Sequence, residues 1–280
     1  MVQVGQVVAI AWPPQVGMAA ALADEADRAG VWPGLGRRSP GRIRLILVPD
    51  EARYQELTGG RGPSWGAGIA VPGAHTILIR ADAGDIFTIL RHELAHLVLH
   101  DAIRTRIPRW FDEGYAAYAA GEWDRVAALS LNLSVARGGV PDLDELNGAL
   151  RGAPAAVGPA YALAMSAVSR LAERNPTRTL TPLLDRLGRG VEFADAVRET
   201  TGLNLGQFNA DWTGTVRRRY GLISWLAAGG LWAVIATLVL ALGGVRRRAD
   251  RPRRAALDEG WPLPPEDEAA PELDRTEGPW

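Results

Sequence analysis

The stretch "DIFTILRHELAHLVLHD", Asp85 to Asp101, decides how the chain is read. Its apolar residues recur at helical spacing, and Asp85 stands where a helix N-cap belongs. It carries three of the chain's four histidines, two of them in the order His-Glu-Leu-Ala-His. On a helix His92 and His96 lie one turn apart on one face, their Cβ atoms about 5–6 Å apart, so both imidazoles can converge on one cation. Glu93, one step round, is badly placed to bind the same ion but can reach a water on it. Two neutral imidazoles, an open coordination position and a carboxylate base are what a zinc hydrolase requires. His100, a further turn along, reads as a helix-end residue rather than a ligand.

Two histidines do not complete a catalytic metal site, and a third protein ligand is expected. The chain contains no cysteine, so that ligand must be an imidazole or a carboxylate. The candidate follows in "IPRWFDEGYAAYAAG", Ile107 to Gly121. Pro108 interrupts what precedes it, Asp112 can cap a new helix, and Glu113 falls in that helix's first turn. Sixteen residues separate His96 from Glu113, enough for a turn and a return helix that points Glu113 at the histidine pair.

Upstream the chain alternates strands and helices. "VGQVVAIAW" (Val4–Trp12) reads as a strand, "VGMAAALADEADRAG" as a helix stopping at Gly30, and "GRIRLILVPD" as a period-two strand. A short helix over "EARYQELTG" follows. Then "GAGIAVPGAHTILIR" reads as a hairpin turned at Pro72-Gly73, with His75 entering its second strand. From Asp85 to Tyr220 the pattern is helical, its last helix starting at Asn204 with Gln207 as a capping-box partner. Strands first and helices afterwards imply an α+β domain over residues 1–219.

Residues 221–244 contain no charged side chain over 24 positions, long enough to cross a hydrocarbon core of about 30 Å. They are expected to form a single transmembrane helix in contact with lipid. Arg217, Arg218 and Arg219 precede it, and six arginines, Arg246, Arg247, Arg248, Arg251, Arg253 and Arg254, follow it. That excess predicts a cytoplasmic C-terminus and a catalytic domain outside the cytoplasm. The opening "MVQVGQVVAIAWPP" does not read as a signal peptide. Residues 245–280, arginine-rich and then acidic and proline-rich, are expected to be disordered. The formal net charge of −1 gives no general attraction to nucleic acid.

"HELAH" followed by "PRWFDEGYAAYAAG" resembles the gluzincin zinc metallopeptidases, most closely the peptidase MA-like family. The resemblance runs from about Val4 to about Arg218, taking in the "WGAGIAVPGAHTILI" hairpin and the "AYALAMSAVSRL" segment. It implies Zn2+ on His92, His96 and Glu113, Glu93 as general base and acid, and a peptide or protein substrate. It also implies a tyrosine that stabilises the oxyanion; Tyr161 is the first choice, with Tyr118 and Tyr115 as competitors. The family's hairpin supplies an edge strand to an extended substrate, which places Gly66, Gly68 and Ala70 along the cleft.

In thermolysin-like enzymes a carboxylate one turn after the glutamate ligand orients a histidine. Here that position is Ala117, leaving Asp112 and Asp124 as candidate partners. Other prominent residues have plainer readings: His75, Trp65, Trp110 and Met165 as packing residues, Arg91 and Arg109 as solvated cations near the site. Two functions remain open at this level: a membrane-anchored zinc peptidase, and an inactive zinc-stabilised scaffold domain at the membrane.

Overall fold

The computed structural model describes residues 1–60, 62, 66–122, 139–151, 154–220 and 229–260. It divides into two units, Met1–Ser224 and Trp225–Trp280.

The first unit is mixed α+β. The expected first strand is in fact a hairpin. Val4 and Val7 face each other across Gly5, whose φ of 51° reverses the chain, giving β1 (Val2–Val4) and β2 (Val7–Ala11). Glycine adopts that conformation without the steric cost other residues meet, and periodicity alone does not reveal it. Helix α1 (Val16–Arg28) crosses to a small ribbon of β3 (Val31–Trp32) and β4 (Gly36–Arg37), then to β5 (Ile43–Val48). Helix α2 (Glu51–Thr58) is capped by the Asp50 carboxylate and stopped by left-handed Gly59. The hairpin of β6 (Gly68–Val71) and β7 (Thr76–Arg80) follows, turned through Pro72–Ala74. The five-stranded sheet runs β1-β2-β5-β7-β6, parallel at its centre and antiparallel at both edges. Its central strands are nearly continuous apolar runs, as strands covered on both faces must be. Alternation leaves β6 as one edge.

Helix α3 (Ile86–Ala102) takes its N-cap from Asp85, as its sequence predicts. Helix α4 (Arg109–Ala120) starts earlier than expected: Pro108, not Asp112, is its N-cap residue, and the Trp110 N–H finds its acceptor in Asn147 Oδ1 at 2.9 Å. This frees the Asp112 side chain for other work. Helices α5 (Leu143–Ala149), α6 (Pro154–Arg174), α7 (Thr181–Gly188), α8 (Phe193–Thr201) and α9 (Leu205–Tyr220) complete the unit. The expected box at the last of them is present, with Asn204 and Gln207 exchanging hydrogen bonds. Trp110, Phe111, Phe193 and Phe208 stack edge and face between α4, α8 and α9. Aromatic burial of this kind contributes strongly to the packing of the helical layer.

Two contacts decide where the site forms. Gly114 on α4 presses so close to α6 that a Cβ there would lie 2.5 Å from the Ala164 carbonyl oxygen. Gly121 ends α4 in a left-handed turn with φ 75°, and the Glu122 N–H folds back onto the Ala117 carbonyl at 3.1 Å. This is the glycine-terminated helix stop that reverses a chain tightly.

In the second unit, α10 spans Leu231–Glu259. Residues 245–259, expected to lack structure, thus continue a helix; residues 261–280 lie outside the described ones. The transmembrane helix expected at 221–244 is not recovered. Residues 221–228 are outside the described ones, and among the described residues no helix is long and apolar enough to cross a membrane. Within α10 the uncharged run is residues 231–245, shorter than the roughly 20 residues a crossing needs. Trp232, Leu238, Leu240 and Leu242 on it are exposed.

Candidate metal centre

His92 and His96 project from the middle of α3 and are nearly buried. Their Nε2 atoms are 3.2 Å apart. Glu113, from the second turn of α4, brings Oε2 to 3.7 Å from His92 Nε2 and 3.6 Å from His96 Nε2. A triangle with those three sides has its centre roughly 2.0 Å from every corner, the bond length zinc makes to imidazole nitrogen and carboxylate oxygen. The three residues first singled out in the sequence are thus gathered with the spacing of a divalent cation's ligands.

The opposite edge of each imidazole fixes which nitrogen faces that centre. His92 Nδ1 lies 2.7 Å from Glu122 Oε1, and His96 Nδ1 lies 2.7 Å from Asp112 Oδ1. A carboxylate can only accept, so each Nδ1 carries the proton and each neutral ring presents its Nε2 lone pair inward. Two lone pairs at 3.2 Å and a carboxylate oxygen beside them repel unless positive charge lies between. The free side chains meet that demand with protons. Burial favours neutral rings, yet Glu113 and Glu122 lift His92 to about 9. His96 is likewise raised against its burial, by Asp112 and Glu113. Glu113 is held well below the ordinary carboxylate range by the two histidines, although burial opposes this. A divalent cation satisfies the same electrostatic demand without protons, so the donor set fits one.

Glu93 lies between the triangle and β6, close enough to His92, His96 and Glu113 to feel their charges. It is buried, and burial raises its carboxyl above the usual range against the pull of His92 and His96. The Ala70 N–H donates to this carboxylate, and a side chain at Gly68 would collide with it at 2.9 Å. The edge strand therefore rests directly on Glu93. The pairing of Arg80 N–H with the Ala67 carbonyl sets the ladder's phase, turning Gly66, Gly68 and Ala70 outwards. The Gly66 carbonyl meets the Arg80 guanidinium at 3.4 Å, and the Gly68 carbonyl accepts from buried Tyr54 at 3.0 Å.

Tyr161, on α6, donates its hydroxyl to Glu113 Oε2 at 3.0 Å, and its ring packs 5.8 Å from that of His92. Burial first, and then the Glu113 charge, push the phenol well above its normal range, so it remains a proton donor. Of its competitors, Tyr115 is fully buried and bonded to the Pro33 carbonyl. Tyr118 lines a cavity of about 260 Å3 with Met165, Trp212 and Tyr220. Arg109, read as solvated, pairs with Glu113 Oε1 at 3.1 Å and so leaves Oε2 for the centre. Arg91 spans from Ala119 O to Val31 O and covers the Trp32 ring, a clamp between elements. Trp110 is core, and His75 sits away from the site with Asp101 at 3.4 Å. Trp65 and Asp124 lie outside the described residues.

Residues 57–218 match the peptidase MA superfamily. The chain belongs to that superfamily. Its first unit is a metallopeptidase-like domain of the peptidase MA type, and the match covers α3, α4 and the Tyr161 helix together. No curated protein matches the chain. Glu122 is the residue that sequence reasoning missed in this peptidase MA site. Its signal was its place directly after Gly121, where the glycine stop of the ligand-bearing helix turns the next side chain back towards the histidines.

Proposed function

We propose that this chain is a membrane-anchored zinc metallopeptidase. One observation carries the reading: the Nε2 atoms of His92 and His96 face each other at 3.2 Å with both Nδ1 protons taken by carboxylates. That arrangement suits a divalent cation, since both inward Nε2 atoms and Glu113 Oε2 can share one positive charge. Zinc held by His92, His96 and Glu113 would supply a Lewis acid and an acidified water.

The chain's own residues do the rest. Glu93 takes the proton of the attacking water and passes it to the leaving amine; burial raises its carboxyl above the usual range and so makes it a stronger base. Tyr161, already aimed at the centre and firmly protonated, donates to the oxygen that gains charge in the tetrahedral transition state. Gly68 and Ala70 on the edge strand lie beside Glu93, and with Gly66 just before the strand they mark where an extended peptide or protein substrate would bind. The uncharged residues 221–244, the exposed apolar side chains of α10 and the surplus of arginine after them support a single-pass anchor in lipid. The same surplus supports a cytoplasmic C-terminus, with the peptidase unit outside the cytoplasm.

The test is digestion of a peptide library by the full-length chain, with and without a chelator, for wild type and Glu93→Gln. Wild type cleaves, the chelator stops it, and Zn2+ restores it. Glu93→Gln keeps stoichiometric zinc but loses about 10²–10⁴-fold in turnover. A protein that binds zinc and cleaves nothing in the library is a scaffold, and the proposal fails.

A further inference from the structure

His100 is the histidine of α3 used neither by the metal triangle nor by proton transfer. It sits one turn beyond His96 on α3, on the same face. Its Nε2 is 2.9 Å from Asp112 Oδ2, while Asp112 Oδ1 holds His96 Nδ1 at 2.7 Å. Asp112 is therefore strung between two consecutive turns of α3, one oxygen to each.

A carboxylate tied at one oxygen turns easily about its terminal torsion, because that torsion is broad and two-fold. Tied at both, it has one plane. The plane of Asp112 sets the direction from which the His96 Nδ1 proton is held, and so the direction in which the Nε2 lone pair points. The Asp112 side chain is 23% exposed and that of His100 is 37% exposed. Water can therefore satisfy Oδ2 if His100 is removed, but water does not hold the plane.

These three residues could also be imagined as a second metal site, since their ligand atoms lie close together. His96 argues against it. Its Nδ1 cannot bind a second ion while Nε2 faces the first without losing the ring proton that Asp112 accepts.

We propose that His100 is a positioning residue that acts through Asp112 on the His96 imidazole and slows release of the bound metal. The proposal rests on the zinc reading of the site. It makes a kinetic claim rather than a stability claim, because a half-exposed pair of this kind contributes little to folding.

The experiment loads the full-length chain with one equivalent of Zn2+ and follows its release to an excess of a coloured chelator. His100→Ala releases zinc about tenfold faster, the lower edge of what loss of a ligand's partner does. His100→Gln, whose amide can still donate to Oδ2, stays within about twofold of wild type. In an Asp112→Ala background, His100→Ala adds nothing, since the coupling runs through that carboxylate. The proposal is overturned by an unchanged release rate in His100→Ala, by a His100→Gln variant as fast as His100→Ala, or by the same acceleration in both backgrounds. A wild-type chain that takes up no stoichiometric zinc sinks the metal reading and this proposal with it, and is told apart from the other failures by that first measurement.

Discussion

Replacing Gly114 by alanine tests the step that builds the site. The new Cβ would lie 2.5 Å from the Ala164 oxygen, 2.6 Å from its carbonyl carbon and 2.9 Å from Val168 Cγ2. Carbon and carbonyl oxygen approach comfortably at about 3.3–3.6 Å, so α4 and α6 must part by roughly 1 Å. Neither obstacle is the tip of a flexible side chain: two of the three atoms are backbone. Overpacking of this kind costs about 1–3 kcal/mol, partly offset by the gain of up to about 1 kcal/mol when alanine replaces glycine in a helix. In a unit of this size each kcal/mol moves Tm by about 2–4 °C, so a net fall of up to about 8 °C is expected. The functional loss is larger. Glu113 and Tyr161 lie one residue before and about one turn before the contact, and the same displacement opens their 3.0 Å hydrogen bond beyond bonding range. Misplacement by 1 Å at a reacting centre costs about 10²-fold in rate. Circular dichroism melting and peptide turnover at saturating zinc give the two numbers. Gly148→Ala is the control: it lies in helix α5 with nothing within 4 Å, so it leaves stability unchanged or slightly higher. A Gly114→Ala protein that melts with the control and cleaves like wild type refutes the close approach and the reasoning built on it.

Glu122→Gln keeps the shape but gives up the charged acceptor of His92 Nδ1, and zinc affinity measured by competition falls about 10–100-fold. Tyr161→Phe lowers kcat about 10²–10³-fold with KM little changed if the hydroxyl serves the transition state; a change confined to zinc affinity would reduce it to a holder of Glu113. Asp211 carries a pH prediction. Arg174 and Arg170 hold its carboxyl far below the ordinary value, so its contribution to stability is complete above the unfolded carboxylate pKa and disappears as pH falls through the folded one. Asp211→Asn therefore loses about 1–2 kcal/mol at pH 7, allowing for the half-exposed Arg174, and its stability falls less steeply than wild type's below pH 4. Urea melts at pH 7 and pH 3 show whether the gap between the two proteins closes.

Much of the site was legible because a helix converts sequence spacing directly into geometry. His92, His96 and Glu93 needed only the 3.6-residue turn, and the pairing of Asp112 with His96 replaced the carboxylate missing at Ala117. Glu113 was legible as a residue type at a feasible distance along the chain. What brings it inward is not local, since it depends on Gly114 meeting Ala164, fifty residues on. Glu122 was hidden for a different reason: a backbone conformation at Gly121, not a side-chain period, aims it. The sheet shows the same division. The hairpin around Pro72-Gly73 was local and readable, whereas the order β1-β2-β5-β7-β6 is set by crossovers and core packing that no window of sequence contains. Helix α10 crosses the boundary expected at Gly244 because arginine propagates a helix well. A change of polarity there does not change the backbone.

The edge strand beside Glu93 has a consequence for appetite. Of the outward groups on Gly68 and Ala70, the Gly68 carbonyl is committed to Tyr54 and the Ala70 N–H to Glu93. Between Gly68 and Ala70 that leaves the Gly68 N–H and the Ala70 carbonyl to greet a newcomer. A guest chain laid along this rim finds a two-point handhold instead of a full ladder. Short grips dissociate fast, so long polypeptides should gain little residence time over short ones, and discrimination must come from the side chains either side of the cut.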